Sequence, residues 1–78
     1  MARTKRLRAI ATFSSTHDAI EAEALCQDAC VPGRLIPTPV SIRATCGLSW
    51  SMDPGDRSAF ANAIRGRLVV EDIQEIMI

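Results

Sequence analysis

The residues with the most chemical potential lie in two short stretches, RATCG at residues 43 to 47 and SSTH at residues 14 to 17. Cys46 is the reactive type. A thiol near its ordinary pKa is only about 3% ionised at pH 7, and the thiolate is the nucleophile, so a working cysteine needs positive potential or hydrogen-bond donors beside it. Arg43 is a cation three residues away, and His17, when protonated, is a second. Ser14, Ser15, Thr16 and Thr45 carry hydroxyls that can donate to a sulfur anion. Gly47 lacks a side chain, which lets a bulky partner approach the sulfur and tolerates unusual backbone angles. Against this stands a plainer role. Free cysteine is among the most buried residue types, and a thiol flanked by Ala44 and Leu48 can simply fill a hairpin core. The residues themselves leave both roles open for Cys46.

Cys26 and Cys30 are four residues apart, a spacing that can place two metal ligands on one helix face. A zinc site needs two further ligands, and the lone histidine falls at the other end of the same helix, so the expectation is two small packing residues and no metal. His17 suits a general base, an anion ligand or a polar residue in a helix's first turn. No serine–histidine–acid order and no glycine-rich phosphate loop is present, which gives hydrolase and nucleotide-binding readings no support. Pro37 and Pro39 are expected to stiffen the turn ahead of Cys46.

The elements that must position these residues follow from pattern. Residues 6 to 13 alternate and end in strand formers, giving a first strand. Ser15, with Asp18 three residues on, reads as a helix N-cap. In the helix that follows, Ala19, Ala22, Cys26 and Ala29 form a narrow face of small residues suited to close packing on a sheet. Pro32 and Gly33 are expected to stop it, and RLIPTP to form a short second strand. In the third strand, from CGLSWSM, Leu48, Trp50 and Met52 lie on one side and Ser49 and Ser51 on the other. Asp53 as N-cap and Pro54 at the first helical position start a second helix with Phe60, Ala63 and Ile64 inward and Gly66 at its end, and LVVEDIQEIMI supplies a last strand. The order βαββαβ predicts an α+β fold of the ferredoxin-like split βαβ kind: an antiparallel four-stranded sheet with two helices on one face. With right-handed crossovers, the end of the first strand, the start of the first helix and the turn between strands two and three share one edge, which sets SSTH beside TCG.

Length and charge bound the rest. At 78 residues the chain forms one small domain, residues 6–78, with a small core to which a homodimer would add burial. Nine basic and nine acidic residues cancel, but Arg3, Lys5, Arg6 and Arg8 crowd the start, so residues 1–5 are expected to be a basic flexible terminus. Only three aromatics occur, none interleaved with lysine or arginine, which argues against nucleic acid as a partner. No run is long and apolar enough to span a bilayer or form a signal-peptide core, so a cytoplasmic protein off the membrane is expected. Three cysteines without a secretory signal predict free thiols.

Three linked signatures extend over most of residues 10 to 50: TFSSTHDAIEAEAL, PGRLIPTPVSI and TCGLS. Together they resemble the selenium/sulfur carrier protein-like family of small bacterial domains. The resemblance implies that Cys46 carries sulfur or selenium, with Gly47 beside it and the STH turn next to it. It implies protein partners too: a sulfur or selenium donor and an acceptor, of the TusA-type carrier or cysteine desulfurase kind. Where members often have serines ahead of the cysteine, this chain has Arg43, Ala44 and Thr45. The leading expectation is therefore a carrier whose Cys46 thiolate holds a persulfide or selenopersulfide without a cofactor. In that scheme Arg43 favours the anion, Ser14, Ser15, Thr16 and Thr45 solvate it, and His17 shuttles a proton. Partners supply the turnover, so the chain is a carrier more than an enzyme. The alternatives are a regulatory or interaction module in which Cys46 is structural, and a metal or redox sensor using Cys26, Cys30 and Cys46.

Overall fold

The computed structural model describes residues 6–78; the basic terminus expected at residues 1–5 lies outside them. In chain order the elements are β1 (Leu7–Thr12), α1 (Thr16–Asp28), β2 (Arg34–Pro37), β3 (Leu48–Met52), a 3-10 turn (Pro54–Asp56), α2 (Arg57–Ile64) and β4 (Asp72–Met77). The four strands form one sheet in the order β2-β3-β1-β4, every pair antiparallel. This α+β arrangement puts β1 and β3 in the centre, with Ala11 opposite Trp50 and Thr12 opposite Ser49.

Alternation along the strands separates two environments. Ala9, Ala11, Trp50 and Met52 point into the cluster formed with Phe13, Ala19, Ala22, Cys26, Val31, Cys46, Phe60 and Ile64. Trp50 stacks on Phe60 with ring centroids 6.5 Å apart. The small face expected of α1 is buried at Ala19, Ala22 and Cys26, whereas Ala29 is exposed as the C-cap. Alanine and cysteine leave little side chain between helix and sheet, so α1 lies close against β3 and β2. Ala63 is half-buried beside Phe60 and Ile64 on α2.

The opposite side of β3 is not solvated. Ser49 and Ser51 are buried, as is Thr12, and each hydroxyl is satisfied: Arg8 Nε donates to Ser51 Oγ at 3.1 Å, and Thr12 Oγ1 donates to the Asp72 carbonyl at 3.3 Å. Ser49 is bonded to Thr38.

Helix ends differ from the sequence pattern in instructive ways. Ser15 caps α1 as expected, its Oγ accepting from the Asp18 N–H at 3.1 Å. The C-terminus, however, is closed by Cys30 and not by Pro32 or Gly33. Cys30 has φ 56°, its N–H donates to the Gln27 carbonyl, and the Val31 N–H donates to the Cys26 carbonyl at 2.8 Å. That pair of bonds is a Schellman closure with cysteine where glycine is usual. Gly33 has a different reason: at φ 148° it lies so close to β3 that a Cβ would sit 2.6 Å from both the Ser51 carbonyl oxygen and the Trp50 ring. Asp53 does not cap with its side chain, because its carboxylate bonds Arg8 Nη1 at 2.8 Å, a charge-assisted partner that wins over a backbone N–H. The last strand starts at Asp72, leaving residues 68 to 71 irregular.

Candidate functional site

The edge expected from the element order is formed. Cys46, at the end of the loop entering β3, has its Sγ 3.5 Å from Thr16 Oγ1, in the first turn of α1 and 30 residues away in sequence. The Leu48 N–H donates to the same sulfur at 3.3 Å, a local side-chain-to-backbone turn closing two residues on. Cys46 is only 6% exposed and belongs to the core cluster, so its sulfur sits at the boundary between the apolar interior and the helix start.

Only one of the four expected hydroxyls reaches the sulfur. Ser14 Oγ donates to Asp18 Oδ2 at 3.4 Å, and Ser15 Oγ is committed to capping α1. Thr45 Oγ1 donates to Glu71 Oε2 at 2.7 Å, and the Thr45 N–H donates to Glu71 Oε1 at 3.2 Å. Thr16 is the remaining hydroxyl, in a contact with the sulfur that either group can donate. Arg43 and His17 are both exposed, and among the described residues neither makes a hydrogen bond or ion pair with the site. Arg43 instead lines an open depression of about 490 Å³ with Ile42, Ala44, Thr45 and Glu71.

Gly47 is exposed and outside the left-handed region, and a Cβ there would meet nothing within 4 Å. Neither its backbone angles nor packing within the chain requires glycine. The space that a Gly47 side chain would fill, next in sequence to the recessed cysteine, is open.

Two residues that sequence reasoning passed over hold the cysteine loop. Thr38, between Pro37 and Pro39, donates through Oγ1 to the Cys46 carbonyl at 3.1 Å. That uses its single hydroxyl proton, so the Ser49 hydroxyl donates to Thr38 in the 2.7 Å bond between them. The Thr38 N–H also donates to the Gly47 carbonyl at 2.9 Å, extending the β2–β3 ladder. The prolines thus flank a clamp on the Cys46 peptide. Glu71 is the second holder, grasping Thr45 from the segment before β4 while its own N–H donates to the Thr12 carbonyl at 2.8 Å. A lone threonine between prolines was a visible signal for the first; Glu71 had none, being 26 residues from its partner.

The other cysteines stand apart. All three are free. Cys26 is fully buried, and burial pushes its thiol up from 9.0 to about 11, which keeps it protonated and suits packing. Cys30 is exposed at the far end of α1. Among the described residues no cluster of histidine, cysteine and carboxylate side chains could hold a metal ion.

Fold and site together define a small α+β protein with a recessed, hydrogen-bonded cysteine at a helix start. Residues 8–75 match the family described as Putative Se/S carrier protein-like, and the chain belongs to that family. No curated protein and no solved structure matches it significantly. Among the described residues no helix is long and apolar enough to cross a membrane.

Proposed function

We propose that the chain is a cytoplasmic sulfur or selenium carrier in which Cys46 receives the chalcogen from a donor protein and hands it to an acceptor. The Cys46 thiolate attacks the terminal sulfur of a donor persulfide, the donor's S–S bond breaks, and the donor cysteine leaves as a thiolate. Cys46 then holds the persulfide, whose outer sulfur passes to an acceptor thiolate by the same exchange. With selenium as cargo the intermediate is a selenopersulfide. We read the β1-α1-β2-β3-α2-β4 order, with β3 between β2 and β1, as a ferredoxin-like split βαβ scaffold for this site.

The observation that carries this reading is the pair of contacts at the Cys46 sulfur: the Leu48 N–H donates to it, and the Thr16 hydroxyl lies 3.5 Å away, able to donate to the thiolate or accept from the thiol. A thiol that only fills space has no need of an N–H donor, whereas a sulfur anion is stabilised by each one. The first turn of α1 adds the positive end of a helix dipole. Open space at Gly47 supports the approach of a partner.

The test is to incubate the protein with a small-molecule persulfide and, separately, with a cysteine desulfurase and cysteine, and to map added sulfur by peptide mass spectrometry. One sulfur atom on Cys46, absent in Cys46→Ser, is expected. Gly47→Ala should slow loading from the protein donor while leaving the small donor unaffected. Sulfur on Cys30 but not Cys46 sinks the proposal.

A second reading, an interaction module with a structural cysteine, is favoured by the place of Cys46 in the core cluster. It predicts that Cys46→Ser loses stability and that wild-type Cys46 takes up no sulfur.

A further inference from the structure

Cys46 is 6% exposed, yet thiol exchange requires an incoming sulfur to approach along the axis of the bond being made. Something in the loop must yield. On one side the loop is tied by Thr38, whose N–H bond to the Gly47 carbonyl continues the β2–β3 ladder and whose part-buried hydroxyl bonds the Cys46 carbonyl beside it. On the other it is tied by both oxygens of the Glu71 carboxylate, which take the Thr45 N–H at 3.2 Å and the Thr45 hydroxyl at 2.7 Å. These two bonds are solvent-exposed and come from a segment outside the regular strand. They are the weaker tie, because water competes for both groups once they part.

We propose that Glu71 is a positioning residue for Cys46: its carboxylate latches Thr45 and keeps the neighbouring sulfur recessed against Thr16, and release of this latch is the movement that exposes the sulfur. As a step in sulfur transfer the latch rests on the carrier reading; as a control on exposure it stands on geometry alone. Glu71 is itself anchored by its N–H to the end of β1, the strand that leads into the Thr16 turn. The latch therefore spans the two halves of the site, and a partner that engaged Glu71 or Thr45 would free the cysteine as it docked.

The three free thiols make the assay internally controlled. Cys30 is exposed and reports reagent chemistry, Cys26 is fully buried and reports global opening, and Cys46 reports the loop. In native buffer the alkylation rate of each is followed by peptide mass spectrometry for wild type, Glu71→Ala, Glu71→Gln, Thr45→Val and the double variant Glu71→Ala with Thr45→Val. Losing both bonds should raise the Cys46 rate about 5- to 30-fold, with Cys26 and Cys30 unchanged. Glu71→Gln, which keeps one acceptor oxygen, should fall between wild type and Glu71→Ala, and the double variant should exceed Glu71→Ala by less than Thr45→Val adds alone. An unchanged Cys46 rate in Glu71→Ala, or Cys26 accelerating together with Cys46, overturns the latch. Neither result depends on whether wild-type Cys46 accepts sulfur, so the latch and the carrier reading fail separately.

Discussion

Replacing Thr38 with valine tests how strongly the fold depends on the clamp that holds the cysteine peptide. Valine has nearly the same shape and is β-branched, so backbone preference and packing are kept while one oxygen is lost. Two bonds go with it: the 3.1 Å bond to the Cys46 carbonyl and the 2.7 Å bond from Ser49. Ser49 is fully buried, so its hydroxyl is left without a partner, at a cost of about 1–3 kcal/mol. The Cys46 carbonyl loses an ordinary bond worth about 0.5–1.5 kcal/mol. The sum, about 1.5–4.5 kcal/mol, is a large share of the stability of a domain this small and corresponds to a fall in Tm of about 6–36 °C. Urea denaturation followed by the fluorescence of Trp50, the sole tryptophan, buried and stacked on Phe60, reads the change directly. Thr38→Ser should recover most of it by restoring the hydroxyl. Adding Ser49→Ala to Thr38→Val should recover part, by removing the orphaned group. If Thr38→Val lies within about 0.5 kcal/mol of wild type, or serine is as damaging as valine, the clamp is not what holds this loop.

Gly33→Ala should cost about 3 kcal/mol or more, from positive φ combined with a Cβ 2.6 Å from the Ser51 carbonyl and the Trp50 ring; Gly55→Ala, where a Cβ meets nothing within 4 Å, is the control, and equal melting temperatures for the two would refute the steric account. Cys30→Gly should stabilise by about 0.5–1 kcal/mol, the relief of a left-handed residue less glycine's own entropy, seen as a higher urea midpoint at constant m that Cys30→Ala does not reproduce. The buried Cys26 thiol makes stability pH-dependent. Below pH 9.0 it is protonated whether the chain is folded or not, and its contribution is complete; above that the unfolded chain ionises first, so stability falls by about 1.4 kcal/mol per pH unit until about pH 11. Denaturation at pH 7 and pH 10 should show this slope reduced in Cys26→Ala; the same slope in both proteins would assign it elsewhere.

What the amino-acid sequence determined here was local. Ser15 with Asp18, the small face of Ala19, Ala22 and Cys26, and the alternation of Trp50 and Met52 each specify an element from neighbours within one or two turns, and the strand pairing followed from their order. That was enough to bring the first turn of α1 to Cys46. What tertiary structure decided was which polar groups meet across that edge. A hydroxyl has one proton to give, and whether it reaches a sulfur, a carboxylate or a helix end depends on tenths of an ångström set by loop path and register. Hence Thr16 faces Cys46 while Thr45, its immediate neighbour in sequence, turns to Glu71. Arg43, a cation three residues from the thiol, points into solvent, because a loop residue with no buried partner gains nothing by leaving water. The clamp by Thr38 and the latch by Glu71 arise from the same cause: the chain returns to the cysteine from distant strands, and only the folded path says which side chains arrive there.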